Sequence, residues 1–458
     1  GLMAGLMAGL ASNSSAFNLV TVGKDGISRQ TIQSPYLNRV QYTVRPSNFD
    51  SINGKTLDDK NVYIAFTADP YPGDDQDYSE FITKTDPAKP CALYHVNIDT
   101  NQAGCALPHV EPLAYFDDNR NWNLFDGSNR KPIQFDAAGN IYVVGYPFTV
   151  SSSGKVIKNT IARLYKINPD TFVAETLTTD NESVAFFALF PSGEPVVAVK
   201  KGANLSNMDL VLFRNNPNPP KRITFAQGID TPFVNTDTYR SLLYGSAAGT
   251  QGIHLVRTSD AGVEQARIDY NAATGSNYSL QLDGKTYSGL VPRRIILGDD
   301  GKFYTVYSAT DSNQANAQAN ALLVYQTLPF NKTAKAVLPV TGNWWTDMKT
   351  RPLQIRRGIL YYADKEQRPS IGYVDIIRVV GLENGKKQKL FADKNYRIDS
   401  WQALGDNLYF SGIDNESNQV VQGTVITKSF ALKSDWSDAA WNGYSKFTVK
   451  PTAIASAS

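Results

Sequence analysis

The sequence predicts an all-β repeat fold, and three observations carry that prediction. A phrase made of an apolar strand, a tight Gly/Asn/Asp turn and a second strand of alternating β-branched and aromatic residues recurs along the chain. Its copies are spaced about evenly. Between them lies a second kind of hairpin, more polar on one face.

The phrase reads PIQFDAAGNIYVVGY at 132–146, AFFALFPSGEPVVAVK at 185–200, RRIILGDDGKFYTVYS at 293–308, LQIRRGILYYAD at 353–364 and WQALGDNLYFSG at 401–412. Weaker copies are LDDKNVYIAF at 57–66 and LLYGSAAGTQGIHLVR at 242–257. Taking the turn residue as register, Asn61, Asn140, Glu194, Gly252, Lys302, Gly358 and Asn407 are separated by 79, 54, 58, 50, 56 and 49 residues. The second hairpins include ARLYKINPDTFVAETL at 162–177, MDLVLFRNNPNPPKRI at 208–223, ALLVYQTLPFNKTAKAVL at 321–338 and IIRVVGLENGKKQKLF at 376–391. The last contains Asn384-Gly385, a strong hairpin signal, because both central positions of a type I′ turn need positive φ. Segments 92–107, 264–282 and 419–432 fill the remaining slots.

Each repeat is therefore four strands, the first hairpin more apolar than the second. A four-stranded sheet that must bury both faces can do so by stacking radially against copies of itself. That is a β-propeller, here one of seven four-stranded blades in a single domain, with eight blades as the alternative. The FDAAGNIYVV stretch resembles the inner-strand hairpin of NHL-type and related bacterial propellers. That resemblance covers one hairpin per blade and implies a fold, since such families include binding proteins and enzymes alike.

The ends of the chain exceed what this repeat needs. Residues 1–16 form an apolar tail, GLMAGLMAGLA before the first polar residues, which reads as a signal-peptide remnant or a docking segment. Residues 17–33 form an extra N-terminal hairpin ahead of the first full blade, within a propeller domain of 17–454; residues 455–458 are a short tail. A strand-like piece at 444–454 is also unplaced. One of these two pieces is expected to complete the last blade and remove the ring's free edges, the other to form an extra element. Surplus β-structure next to an apolar tail predicts self-association through the termini, into an oligomer or an open filament.

Composition excludes several classes. The 458 residues carry 45 Lys+Arg against 43 Asp+Glu, a net charge of +2, without the basic stripe of a nucleic-acid protein. No apolar run reaches the roughly 18 residues of a membrane span. With 24 Tyr, 21 Phe and many aliphatics, the chain has ample surface to bury and is not disordered.

Cys91 and Cys105 are the two cysteines, and a fold-back at residues 99–102 sets them opposite each other across a hairpin. A disulfide is expected, and with it an exported protein: extracellular or cell-surface, with the periplasm as alternative. The Asn-x-Ser/Thr sequons at Asn13, Asn181, Asn204, Asn277, Asn331 and Asn415 are near chance in a chain so rich in these residues.

His95, His109 and His254 sit without Cys-x-x-Cys, His-x-x-x-His or Gly-x-Ser-x-Gly spacing, so neither a zinc site nor a serine triad is indicated. Asp74, Asp75 and Asp77 in PYPGDDQDYSE form a weak calcium candidate without the Asp-x-Asp-x-Asp-Gly pattern; a solvated acidic loop is the simpler expectation. No other cofactor is indicated.

The tryptophans are better placed. Trp122, Trp344, Trp345 and Trp401 precede or open the first strand of a blade, where a propeller's inter-blade connections gather on one rim. Arg120, Arg351 and Arg397 accompany them, with Asp117, Asp118, Asp347 and Asp399. Aromatic faces with polar neighbours suit sugars or peptide chains; the alternative is that these rings wedge between blades. The functional expectation is an exported, non-enzymatic binding or assembly module, with a protein partner, itself or a glycan as ligand. The competing class is a carbohydrate-active enzyme, a glycosidase or lyase, using rim carboxylates such as Asp117 and Asp347.

Overall fold

The structure is a computed structural model. It describes residues 15–33 except 24–25, 40–46, 61–66, 91–97, 102–113, 132–150 except 137, 156–189, 194–201, 204–214, 221–229, 234–235, 241–246, 252–258, 264–271, 280–282, 285–297, 303–311, 318–326, 335–340, 353–404, 407–416, 419–426 and 448–456. Among these there is no helix.

The chain starts with a hairpin, β1 (Ser15–Gly23) and β2 (Gly26–Gln33). The first sheet follows: β3 (Val40–Val44), β4 (Asn61–Phe66), β5 (Leu93–Asn97) and β6 (Gln102–Cys105). The second holds β7 (Val110–Pro112), β8 (Ile133–Phe135), β9 (Ile141–Val150), β10 (Val156–Lys158), β11 (Arg163–Ile167) and β12 (Ala174–Thr176). Next come β13 (Ser183–Leu189), β14 (Pro195–Lys201), β15 (Asn204–Arg214) and β16 (Lys221–Ile229). Then β17 (Val234–Asn235), β18 (Ser241–Ser246), β19 (Gly252–Thr258) and β20 (Glu264–Asn271) form a unit joined to β16 through the pair Ile229↔Ser246. The next sheet is β21 (Leu280–Leu282), β22 (Lys285–Leu297), β23 (Phe303–Asp311), β24 (Gln318–Gln326) and β25 (Lys335–Val340). After it come β26 (Leu353–Arg356), β27 (Ile359–Arg368), β28 (Gly372–Gly381) and β29 (Lys387–Leu390). The last are β30 (Tyr396–Leu404), β31 (Asn407–Asp414), β32 (Gln419–Ile426) and β33 (Thr448–Ser456).

All pairings are antiparallel, and the opening strands of successive units touch: β8 and β13, β13 and β17, β22 and β26, β26 and β30, and finally β30 and β3. Sheets of sequential strands, ranged so that their first strands meet and the last returns to the first, make a β-propeller.

Burial falls from the inner strands outward. NVYIAF of β4 is buried at five consecutive positions, so both of its faces are covered, whereas AET of β12 is exposed throughout. Three seams between neighbouring units are apolar. Tyr42, Val44, Tyr63 and Leu93 of the first sheet pack on Phe135, Ile141 and Ile167 of the second. Tyr142, Val144 and Leu164 meet Phe187, Val197 and Leu210. Tyr361, Ile377 and Val379 meet Trp401, Leu408, Phe410 and Val425. Each fully buried aliphatic or aromatic side chain contributes about 1.5–3 kcal/mol, so the ring is held chiefly blade against blade.

Two turns explain the recurring phrase. In FDAAGN the buried Asp136 carboxylate accepts bonds from the Ala138 N (3.0 Å), the Asn140 N (2.9 Å) and the Tyr142 hydroxyl (3.2 Å), while Gly139 takes φ 89°. Between β26 and β27 the two-residue loop is Arg357-Gly358, both at positive φ (51° and 73°). The Asn384-Gly385 turn departs from its expected type. Gly385 has φ 69°, but the Gly381 N donates to the Lys386 carbonyl (2.7 Å), so the loop has four residues between these partners. The Asn384 side chain there accepts from the Lys386 N instead of occupying a two-residue turn.

The terminal pieces both enter one sheet, of order β2-β1-β33-β32-β31-β30. The C-terminal piece completes the last blade and the N-terminal hairpin is the extra element. β33 supplies the fourth strand, and β1 pairs along β33 from Ser15↔Ser456 to Val22↔Thr448, so the N-terminal hairpin adds two further strands outside.

Cys91 and Cys105 are bonded, with Cα atoms 6.0 Å apart. They are not directly opposite: Cys105 faces Tyr94, and Cys91 faces Pro108 in a bridge that continues the same register. The disulfide therefore runs diagonally.

Candidate functional site

In a sheet of four antiparallel strands, the entry to the first strand and the turn between the second and third share one end. The turn at that end is unusually long in two places. β27 and β28 pair over ten residues, while β26 and β29 flank only their other half. The free half ends in a tip with Ile371 50% and Tyr373 66% exposed. β9 likewise outruns its blade: its first half pairs with β8 and β11, its second half with β7 and β10. Ile157 on β10 is 57% exposed. Gly145 permits this extension, because a Cβ there would lie 2.5 Å from the Glu111 carbonyl oxygen on β7. Lys158 beside it pairs with Glu111 (3.4 Å) and stands over the Tyr146 ring. Val173, 68% exposed, lies at the opposite end, in the turn between β11 and β12.

The sequence-predicted residues distribute as follows. Trp122 and Arg120 fall between β7 and β8, and Trp344, Trp345 and Arg351 between β25 and β26. Asp74, Asp75 and Asp77 fall between β4 and β5. All of these lie outside the described residues. The strand ends that flank these three connections open at the same end of their sheets as the two long tips. Trp401 is described and is 6% exposed, packed among Tyr361, Phe391 and Phe410, so its ring wedges two blades together.

Arg397 is held in the closing seam. Its Nε and Nη2 donate to the Asp399 carboxylate at 2.8 and 3.0 Å, and Thr43 donates to Asp399 Oδ2 from its N (2.9 Å) and its Oγ1 (3.1 Å). The Asp399 side chain is 3% exposed and that of Arg397 37%. Burial pushes the Asp399 carboxyl up, while Arg397 and Thr43 pull it down. Arg45 continues the seam: its N donates to Ser400 Oγ, its Nη1 to the Gly423 carbonyl (2.9 Å), and its guanidinium lies over Tyr409. First and last sheets are thus joined by polar contacts from β3 to β30, β31 and β32.

Sequence reasoning missed a repeated glutamine. Gln134 stands opposite Tyr142, Gln354 opposite Tyr361 and Gln402 opposite Tyr409. Gln134 donates to the Phe187 carbonyl (2.9 Å) and Gln354 both donates to the Trp401 carbonyl (3.2 Å) and accepts from the Ala403 N (2.8 Å). Gln134 and Gln354 each clasp the first strand of the next blade. The Ile-Gln, Leu-Gln and Trp-Gln steps of the recurring phrase were the signal.

Of the histidines, His95 bonds Asn61 and packs on Tyr63 and Phe172, and His109 lies beside Phe148. Among the described residues no group of three or more His, Cys, Asp or Glu side chains is placed to hold a metal ion.

No family model and no curated protein sequence matches the chain. Among solved structures it is similar to a Mycobacterium tuberculosis puromycin-hydrolyzing peptidase (10% identity, TM-score 0.44), over 88% of this chain and 57% of that one. It spans little more than half of that peptidase. It is also similar to the β-propeller domain of the Trilobed protease from Pyrococcus furiosus (7%, TM-score 0.38, 70% of this chain and 92% of that one). A third is an ulvan lyase of a new polysaccharide lyase family (11%, TM-score 0.36, 87% and 96%).

Proposed function

We propose that the chain is an exported, non-enzymatic binding or assembly module, a propeller of seven blades that takes its partner on the rim where the long hairpin tips open. The seven blades count the β13–β20 sheet as two units. The observation that carries the reading is the exposure of Ile157, Ile371 and Tyr373 on that one end, where among the described residues Val173 alone is the exposed large hydrophobic at the other. Trp122, Trp344 and Trp345 belong by sequence to connections opening at the same end, and an aromatic rim suits the apolar face of a sugar or a peptide chain. Several buried carboxylates are engaged in the fold: Asp136 caps its turn, Glu111 pairs with Lys158, Asp364 pairs with Arg378, and Asp399 closes the ring. The disulfide suits an oxidising compartment outside the cytoplasm.

The test is a glycan array together with proximity cross-linking, run on the full chain and on a Trp344→Ala/Trp345→Ala variant. Binding that the variant loses, with its melting temperature kept, supports the reading. Turnover of a glycan by the full chain would overturn it in favour of an enzyme.

A further inference from the structure

The edges of this molecule's sheets differ in how they are guarded. β6, β12 and β29 are three or four residues long, and β29 carries Lys387 and Lys389. β20 carries Glu264, Arg267 and Asp269, and β25 carries Lys335 and Pro339. Short strands, charges and proline are the means by which exposed edges avoid pairing with another chain. β2 is neither short nor proline-bearing, and its charge is sparse. It runs eight residues, GISRQTIQ, with Arg29 as its single charge, and it ends the last sheet with no strand on its outer side among the described residues. It passes near β6 of the first sheet without pairing to it.

The register defines what this edge offers. β1 and β2 pair without irregularity from Ala16↔Gln33 to Gly23↔Gly26. A two-residue connection makes Gly23↔Gly26 a hydrogen-bonded pair, so residues 26, 28, 30 and 32 bond to β1. Residues 27, 29, 31 and 33 then turn their N–H and C=O groups to the open edge.

We propose that this edge pairs with the β2 of a second copy, antiparallel about a two-fold axis at Gln30, forming a closed dimer. The inference deepens the assembly half of the proposed function, and its test is independent of the rim. A two-fold axis requires one residue to face its own copy, which leaves Arg29 or Gln30 as the central choices. Centring on Arg29 sets that charged residue against its own copy and leaves Gln33 beyond the partner strand. Centring on Gln30 sets Ile27 against Gln33 and Arg29 against Thr31. All four outward residues of each copy then find partners, and no like charges meet.

The test is sedimentation of the full chain. The unmodified chain should have twice the 50.4 kDa mass of one copy. Thr31→Lys places a lysine opposite Arg29 twice over and should weaken the dimer about tenfold, from two like-charge pairs. Adding Arg29→Glu to it should restore the dimer, and Thr31→Glu alone should tighten it. A monomeric unmodified chain, a larger open oligomer, or a dimer indifferent to all three substitutions would overturn the proposal. If Thr31→Lys fails to fold by circular dichroism, Thr31→Glu and the unmodified chain decide between the same outcomes.

Discussion

Replacing Asp399 with Asn keeps the shape of the closing seam and removes its charge. In the native seam Thr43 donates twice to Oδ2 and Arg397 donates to both carboxylate oxygens. An amide oxygen can keep the Thr43 bonds, but its NH2 group then faces the Arg397 Nε, donor against donor. The lost bonds to a charged group contribute about 1.5–3 kcal/mol, but removing a buried charge returns part of its desolvation cost, so Asp399→Asn should cost at most about 2 kcal/mol. With an unfolding entropy of about 2.1 cal/mol/K per residue, a chain of 458 residues shifts by about 1 °C per kcal/mol, or at most about 2 °C here. The pH dependence is the sharper check. Burial is the largest influence on Asp399 and raises its pKa above the ordinary 3.8. Its contribution to stability is thus complete below the unfolded value and is lost as the pH rises through the folded value. Denaturation of both proteins across the acid range should show the Asn penalty shrinking as the pH rises. A penalty that grows over that range would mean that Arg397 outweighs burial, and would refute the reasoning.

Trp401→Ala should cost about 3–5 kcal/mol in urea denaturation, since the ring packs between two blades; a loss below 1 kcal/mol would return Trp401 to the rim candidates. Gly412→Ala should destabilise at least as much, because a Cβ there would overlap the Arg397 carbonyl across the strand pair. Gln354→Leu should cost about 1–3 kcal/mol by orphaning the Trp401 carbonyl and the Ala403 N–H, whereas a neutral result would make the clasp incidental. Denatured, unreduced protein should show no free thiol on Ellman titration, and Cys91→Ser/Cys105→Ser should lose about 3 kcal/mol for a loop this short.

What could be read in the sequence was local. Asp136, Gly139 and Asn140 build their turn from neighbours within five positions, so FDAAGN announces its hairpin and the recurrence of such hairpins announces the propeller. The closing seam could not be read, because Thr43 and Asp399 are 356 residues apart and neither residue type signals the other. The diagonal of the disulfide escaped for a smaller reason: the observed register sets Cys105 opposite Tyr94 and Cys91 opposite Pro108, which a fold-back at residues 99–102 with the two cysteines face to face does not give. Trp401 looked like Trp344 and Trp345 because all three precede or open the first strand of a blade. Trp401 itself lies within β30, opposite Phe410, in the apolar seam that includes Tyr361.

The rim is tested most directly by comparing two variants of equal chemistry at opposite ends of the fold. Ile157→Ser/Ile371→Ser/Tyr373→Ser removes the exposed apolar groups of the long tips, and Val173→Ser removes the one at the other end. Both sets of side chains are largely exposed, so each protein should fold and melt like the unmodified chain. On a glycan array and in partner cross-linking, the triple variant should lose binding while Val173→Ser keeps it. Binding that survives the triple variant, or that is lost with Val173→Ser, would contradict the assignment of that rim.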